Sequence, residues 1–218
     1  VDILRKNKSP IALELACTLG EWWFSSRNYE KVITTMNECA QEHLVDGNEI
    51  GAANDLFLVG CAQRELEDYA NAVKTFEESR SLFKKNKEVS QVARCDQKIA
   101  SCYVELGEGE KALEKARLAL DVFETAHDHR KQTLALFEYA KAQVLIGELD
   151  EALGTFDQVL TTVTDEDTKD FEFIVEIEFE IANVFRMQGR YEEAEEIERR
   201  LSSVNAILDD EESTEQGS

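Results

Sequence analysis

A tight-turn pattern returns along the chain at a nearly constant spacing of 40 residues. In residues 105–120, ELGEGEKALEKARLAL, Gly107 and Gly109 interrupt an otherwise helical pattern. A glycine inside a helix costs roughly 1 kcal/mol relative to alanine. The position of Gly109 recurs with spacings of 40, 40, 40 and 42 residues, at Tyr29, Tyr69, Gly109, Leu149 and Tyr191. A turn that recurs at a fixed spacing belongs to a repeated unit, so the two glycines predict a joint between two helices.

Two further patterns flank each turn. Downstream, a small residue is usually followed by a large one four residues later, in the pairs Val32/Met36, Ala72/Phe76, Ala112/Ala116, Ala152/Phe156 and Ala194/Glu198. Upstream, a bulky residue precedes a tiny one that is usually followed by an aromatic residue three later, in the pairs Gly20/Trp23, Gly60/Gln63, Ala100/Tyr103, Ala140/Gln143 and Ala182/Phe185. The tiny residue predicts that another helix approaches closely, and the residue at i+3 lies beside it.

These five copies resemble the tetratricopeptide repeat (TPR) family, whose pattern W-x2-L-G-x2-Y, A-x3-F and P describes a helix-turn-helix unit. The resemblance covers roughly residues 10–205. It implies an all-α, right-handed α-solenoid of five helix-turn-helix repeats. The period of 40 exceeds the usual 34 and implies longer helices or linkers, as in the long-repeat branch of the family. The closing proline is missing, and the opening tryptophan is replaced by Ala16, Leu56, Asp96, Leu136 and Glu178.

The same pattern divides the chain into three parts. Residues 1–9 form a lead-in, residues 10–207 form the solenoid, and residues 208–218 have the composition of a disordered acidic tail. The five repeats are expected at 10–47, 48–87, 88–127, 128–168 and 169–207. Inter-repeat turns or helix starts are predicted at DGN (46–48), KKNK (84–87), HDHR (127–130) and TDEDTKD (164–170).

Charge and hydropathy restrict the partners. The formal net charge is −22, from 46 Asp and Glu against 24 Lys and Arg. That field repels a phosphate backbone, so we expect neither nucleic acid nor membrane as a partner and favour another protein or peptide, especially a basic one. No apolar run approaches the ~20 residues that span a bilayer. The first residue, Val1, suggests a fragment or a processed product. The pattern leaves the oligomeric state open.

The cysteines and polar motifs predict structural roles and not metal binding or catalysis. Five cysteines, an odd number, fall inside apolar helical patterns, which predicts free thiols in a reducing, cytoplasmic compartment. Cys95 and Cys102 have neither a CxxC motif nor a histidine at zinc-ligand spacing, and the His127/His129 pair has no predictable third ligand. We therefore expect no metal site and no cofactor. Without a phosphate-binding loop, an HExxH motif or a serine nucleophile elbow, no catalytic residue is assigned and an enzyme is not expected.

The resemblance also implies where a partner binds. In this family the first helix of each repeat lines the concave face, where ligands usually lie. Carried over position by position, the partner-binding residues of the groove are Phe24, Phe57, Arg64, Arg94, Lys98, Phe137, Lys141, Phe179, Asn183 and Arg186. The alternative for the phenylalanines, Phe57 and Phe179 especially, is packing between helices, and for the bases it is salt bridges between repeats. The lysine and asparagine clamp that grips chaperone tails is absent, because Cys17, Glu21 and Leu58 occupy its positions.

The sequence therefore predicts a non-catalytic scaffold or adaptor that holds a peptide or helix of a partner protein. Two alternatives stay open. One is a regulatory sensor domain that binds a small peptide and controls an attached effector, and the other is a structural subunit of a larger complex.

Overall fold

The computed structural model describes residues 10–165 and 170–202, and within these residues the chain contains helices and turns but no strand. The first nine helices are α1 (Pro10–Ser25), α2 (Tyr29–Val45), α3 (Glu49–Glu65), α4 (Tyr69–Lys85), α5 (Val89–Glu105), α6 (Gly109–Thr125), α7 (His129–Ile146), α8 (Leu149–Asp165) and α9 (Phe171–Met187). A tenth, α10, covers 191–202 of the described residues. The predicted lead-in and acidic tail lie outside the described residues.

Each described joint contains one residue in the left-handed backbone region. From residue 27 to residue 147 they recur every 20 positions, and the last one follows at residue 189. They are Arg27, Gly47, Glu67, Lys87, Gly107, His127, Gly147 and Gly189. Gly107 has φ +72°, which confirms that this glycine lies at a joint, and Gly109 is the first residue of α6. Because α2 to α6 each contain 17 residues between these short turns, the period of 40 arises from long helices and not from long linkers.

The tiny residues of the first helices receive large side chains of the second helices. A Cβ atom on Gly60 would lie 2.7 Å from the ring of Phe76, and one on Gly20 would lie 2.6 Å from the end of Met36. Phe76 and Met36 are accordingly buried, and each such side chain contributes about 1.5–3 kcal/mol on burial. The predicted close approach between the two helices of a repeat is present in both.

Two of the positions where the repeat pattern has tryptophan hold acids that form ion pairs. Asp96 on α5 is 2 % exposed and lies 2.7 Å from Nε of Arg80 on α4 and 3.1 Å from Nζ of Lys115 on α6. Glu178 on α9 lies 2.7 Å from Arg200 on α10. At these positions, electrostatic contacts between helices replace the contacts of a large aromatic ring.

The helices stack in chain order. Each of the first eight contacts the next, and the odd-numbered helices α1, α3, α5, α7 and α9 also contact one another in sequence. Helix α9 packs on α10 through Ala182 and Ala194. The even-numbered helices α2, α4, α6 and α8 make no such contact within the described residues. The odd-numbered helices are therefore closer together and line the inner side of the curved stack. No described helix is both long and apolar enough to cross a membrane.

Candidate functional site

Two adjoining recesses lie along the inner side. The N-terminal recess, of about 790 Å³, is formed mainly by α1, α3 and α5, and the central recess, of about 450 Å³, by α3, α5, α7 and α9. Arg64, Glu65 and Lys98 line both. Together the two recesses form a continuous groove along the odd-numbered helices, which is the surface that the resemblance implies for a ligand.

Seven of the ten residues named from the sequence line this groove. The N-terminal recess holds Phe24, Phe57, Arg64, Arg94 and Lys98, and the central recess adds Phe137 and Lys141. The other three, Phe179, Asn183 and Arg186, lie on α9 and line neither recess. The role of all ten residues in binding a partner stays a prediction.

The four phenylalanines differ in exposure. Phe57 and Phe137 are buried, with ring centroids 5.4 Å from Phe76 and 5.8 Å from Phe156 respectively. They form the floor of the groove and hold helices together. Phe24 is half-buried, whereas Phe179 is 52 % exposed and has no described ring contact.

Three of the five predicted cations have carboxylate partners within the chain. Arg64 lies 2.7 Å from Glu65, Lys141 lies 3.3 Å from Glu105, and Arg186 pairs with Glu198. Only the contact of Lys141 joins two different repeats on the groove side. Ion pairs within the chain therefore help to hold these three basic side chains in position.

Arg94 and Lys98 differ from the other three. Among the described residues, no carboxylate oxygen lies close enough to a side-chain nitrogen of Arg94 or Lys98 to form an ion pair. The guanidinium of Arg94 lies 4.3 Å from the ring centroid of Phe57 and donates a 2.7 Å hydrogen bond to Gln91. Both cations lie one helical turn apart on α5, on the face that lines the N-terminal recess.

The electrostatic environment disfavours charge at the centre of the groove. Burial, and secondly the positive charge of Arg64, lower the pKa of Lys98 below its usual range. Burial also raises the pKa of Glu138, although Lys141, Ser101, Lys98 and Arg64 all oppose that shift. One carboxylate oxygen of Glu138 has no hydrogen-bond partner among the described residues. The groove therefore contains charged groups that its own contacts satisfy only in part.

A group of polar side chains that could hold a metal lies in the wall of the N-terminal recess. Asp55 of α3 accepts a hydrogen bond from the thiol of Cys17 of α1 at 3.6 Å, and its other oxygen lies 2.7 Å from Nδ1 of His43 of α2. A hydrogen bond with Cys39, burial and the charge of Asp55 raise the pKa of Cys17 well above its usual range. The four side chains join the first three helices.

Sequence reasoning did not bring these four residues together. Cys39 and His43 are four residues apart, which places both on one face of α2 and was the available signal. Elsewhere in the chain, burial raises the pKa of Cys95 and of Cys102 to about 12, so both thiols stay protonated at neutral pH. Buried, protonated cysteines pack and do not act as nucleophiles.

Comparison with known proteins places this architecture in the TPR-like class. No protein-family model and no curated protein matches the sequence. Among solved structures, a chain of TPR-like repeats from Podosopora anserina assigned to a kinesin light chain is 14 % identical, with TM-score 0.69 over 90 % of this chain and 96 % of that chain. BtubC from P. vanneervenii is also 14 % identical, with TM-score 0.76 over 95 % of this chain and 87 % of its own.

A third similar structure contains a peptide. The Rap conjugation gene regulator of plasmid pLS20, in complex with the Phr* peptide, is 19 % identical, with TM-score 0.70 over 92 % of this chain and 55 % of its own. At these identities the likeness establishes the fold. The chain is an all-α solenoid of TPR-like repeats, which confirms the fold class predicted from the sequence.

Proposed function

We propose that this chain is a non-catalytic interaction scaffold that binds an acidic, partly apolar segment of another protein in its concave groove, in place of the basic partner that the net charge alone favours. The observation that carries the proposal is the pair Arg94 and Lys98, two groove cations without a carboxylate partner among the described residues. In a protein of net charge −22, neighbouring acids are abundant, so a cation pair without one is a place for an external carboxylate.

The charge of the N-terminal recess supports the same assignment. Its lining contains as many cations as carboxylates, whereas the central recess contains more carboxylates than cations, chiefly Glu65, Glu67, Glu105, Glu138 and Glu176. An acidic segment is therefore repelled least at the N-terminal recess. Burial and the nearby Arg64 make the charged form of Lys98 unfavourable. A ligand carboxylate placed beside Lys98 would stabilise that charged form.

The surface also offers apolar contacts to such a segment. Phe24 is half-buried at the edge of the N-terminal recess, and Leu58 lies beside it in the same lining. Arg94 stacks on buried Phe57, which fixes the guanidinium before a ligand arrives. Cations held over aromatic rings and adjacent apolar positions suit a peptide with both carboxylates and bulky apolar side chains. The similar Rap conjugation gene regulator is in complex with the Phr* peptide, which supports a peptide as the kind of partner.

The proposal is tested with peptides selected by the protein itself. A random peptide library is selected on the immobilised chain, and the dissociation constant of an enriched peptide is measured by fluorescence anisotropy. We expect acidic residues to be enriched, and we expect Arg94→Glu/Lys98→Glu to weaken binding at least about thirtyfold, which corresponds to about 2 kcal/mol for a central contact.

A matched control separates local contacts from overall charge. Lys84→Glu/Arg117→Glu changes the net charge equally on two exposed cations of α4 and α6, outside the groove lining. This variant should keep affinity within a few-fold. Equal loss in both variants would indicate long-range repulsion, and unchanged affinity in a folded Arg94→Glu/Lys98→Glu variant would exclude the groove.

A further inference from the structure

Within the Cys17, His43 and Asp55 cluster, His43 and Asp55 lie at positions that the other repeats fill with apolar side chains. His43 is the fifteenth residue of α2, and the fifteenth residues of α4, α6 and α8 are Phe83, Phe123 and Val163. Asp55 is the seventh residue of α3, and the seventh residues of α5, α7 and α9 are Cys95, Ala135 and Ile177. These six equivalents are all buried, and they form three packed pairs across successive repeats.

The repeat therefore does not require a polar pair at this position. An apolar contact serves at three equivalent joints, and burying polar groups costs free energy even when they are paired. His43 and Asp55 replace that contact only at the first joint, where the thiol of Cys17 is added from α1. A nitrogen, an oxygen and a sulfur donor from three helices meet there, which is a combination that packing alone does not explain.

The distances suit a tetrahedral metal ion. Zinc bonds of about 2.3 Å to sulfur and 2.0–2.2 Å to oxygen place two such ligands about 3.6 Å apart in a tetrahedron. The sulfur of Cys17 lies 3.6 Å from Oδ1 of Asp55. All three ligand atoms lie within 4.8 Å of one another. The 2.7 Å contact joins Nδ1 of His43 to the other carboxylate oxygen, Oδ2 of Asp55. When an ion replaces this hydrogen bond, the contact has to widen by roughly 0.6 Å and the carboxylate has to turn one oxygen toward the ion.

We propose that Cys17, His43 and Asp55 bind one Zn²⁺ ion that joins α1, α2 and α3. A mixed set of thiolate, imidazole and carboxylate favours zinc over calcium or magnesium, which prefer oxygen ligands throughout. Cys39 contacts the sulfur of Cys17 and positions it. All three ligands belong to the lining of the N-terminal recess, so the fourth coordination position opens toward the groove. The zinc proposal does not depend on whether the groove binds a peptide.

Cobalt is the probe that tests the site directly. The reduced, chelator-treated chain is titrated with Co²⁺, and we expect the visible bands of a tetrahedral ion and a thiolate charge-transfer band, saturating at one ion per chain. Zn²⁺ should displace the cobalt and remove both. Cys17→Ser should remove the charge-transfer band, and Asp55→Asn should weaken binding at least about tenfold.

Two controls keep the result specific. Cys61→Ser removes a half-buried thiol that lines the same recess, and His129→Asn removes an exposed histidine at the start of α7. Both should bind cobalt as the unsubstituted chain does. Circular dichroism checks that each variant is folded, and zinc should raise the melting temperature of the unsubstituted chain but not of Cys17→Ser.

The titration of the unsubstituted chain decides the proposal even if a variant fails to fold. Absence of the bands in the folded chain would overturn it and would leave Asp55 and His43 as a structural hydrogen-bonded pair. Bands that persist in Cys17→Ser, or that disappear in Cys61→Ser, would also overturn the assignment.

Discussion

Glu138 shows how burial in the groove changes the protonation of a single side chain. Its carboxylate is 8 % exposed in the central recess, and it accepts a hydrogen bond from Ser101. Lys141, Lys98 and Arg64 all favour its charged form, yet burial outweighs them and raises its pKa. The folded chain therefore binds the proton of Glu138 more tightly than the unfolded chain does. At neutral pH this carboxylate reduces the free energy of unfolding.

The sign of the resulting pH dependence follows from linkage. A folded-state pKa above the unfolded value of about 4.3 means that the folded state gains stability as pH falls through the interval between them. We expect Glu138→Gln to be more stable than the unsubstituted chain at pH 7.5, measured as a higher urea midpoint. The difference should shrink as the pH approaches 5.

Glu105→Gln is the matched control for this prediction, because it removes the same charge from an exposed side chain whose ion pair with Lys141 is worth at most about 1 kcal/mol. A difference between Glu138→Gln and the unsubstituted chain that grows as pH falls would contradict the assignment.

At the scale of elements, the helices are joined by both apolar and ionic contacts. Asp96 connects α4, α5 and α6 through Arg80 and Lys115, and Glu77 of α4 contacts the same two cations from a more exposed position. Side-chain exposure is 3 % for Asp96 and 39 % for Glu77. The two acids share the same partners and differ mainly in burial.

That difference gives an element-scale prediction. Asp96→Asn leaves two partly buried cations without their central carboxylate and should lower the free energy of unfolding by about 3 kcal/mol, because breaking a buried pair exposes the desolvation cost of the remaining charge. Glu77→Gln should cost less than about 1 kcal/mol. Urea unfolding followed by circular dichroism measures both, and equal effects would mean that burial does not govern this network.

At the scale of the whole molecule, the dominant property is its charge. A net charge of −22 on a chain of 218 residues makes the folded state repel itself. Because each repeat contacts only its neighbours, few long-range contacts oppose that repulsion. Salt screens charges beyond about 10 Å at 0.1 M, so it relieves the repulsion while leaving close ion pairs largely intact.

We therefore expect the melting temperature to rise between low and physiological ionic strength, measured by differential scanning calorimetry. Lys84→Glu/Arg117→Glu removes two positive charges and adds two negative ones, which brings the net charge from −22 to −26, so its melting temperature should rise more steeply with salt. A melting temperature that stays constant or falls with salt would indicate that the charges are already paired locally.

The sequence by itself determined the repeat, the helix pairs and their joints. These features depend on local physics: a helical period, tiny residues at close contacts and a residue with positive φ in each turn. Gly60 and Gly107 carry this information within a few positions of where it is used. Seven of the ten residues named from the sequence line the two recesses, and their role in binding a partner stays a prediction.

Only the tertiary structure decided which groove residues are exposed and which charges are paired. Phe57 and Phe137 share the repeat position of Phe179, yet the first two are buried against second helices and the third is exposed. Cys17 and Asp55 are 38 positions apart and meet only because α1 and α3 lie side by side. Burial and pairing depend on what neighbouring repeats place opposite a side chain, and no local pattern contains that information.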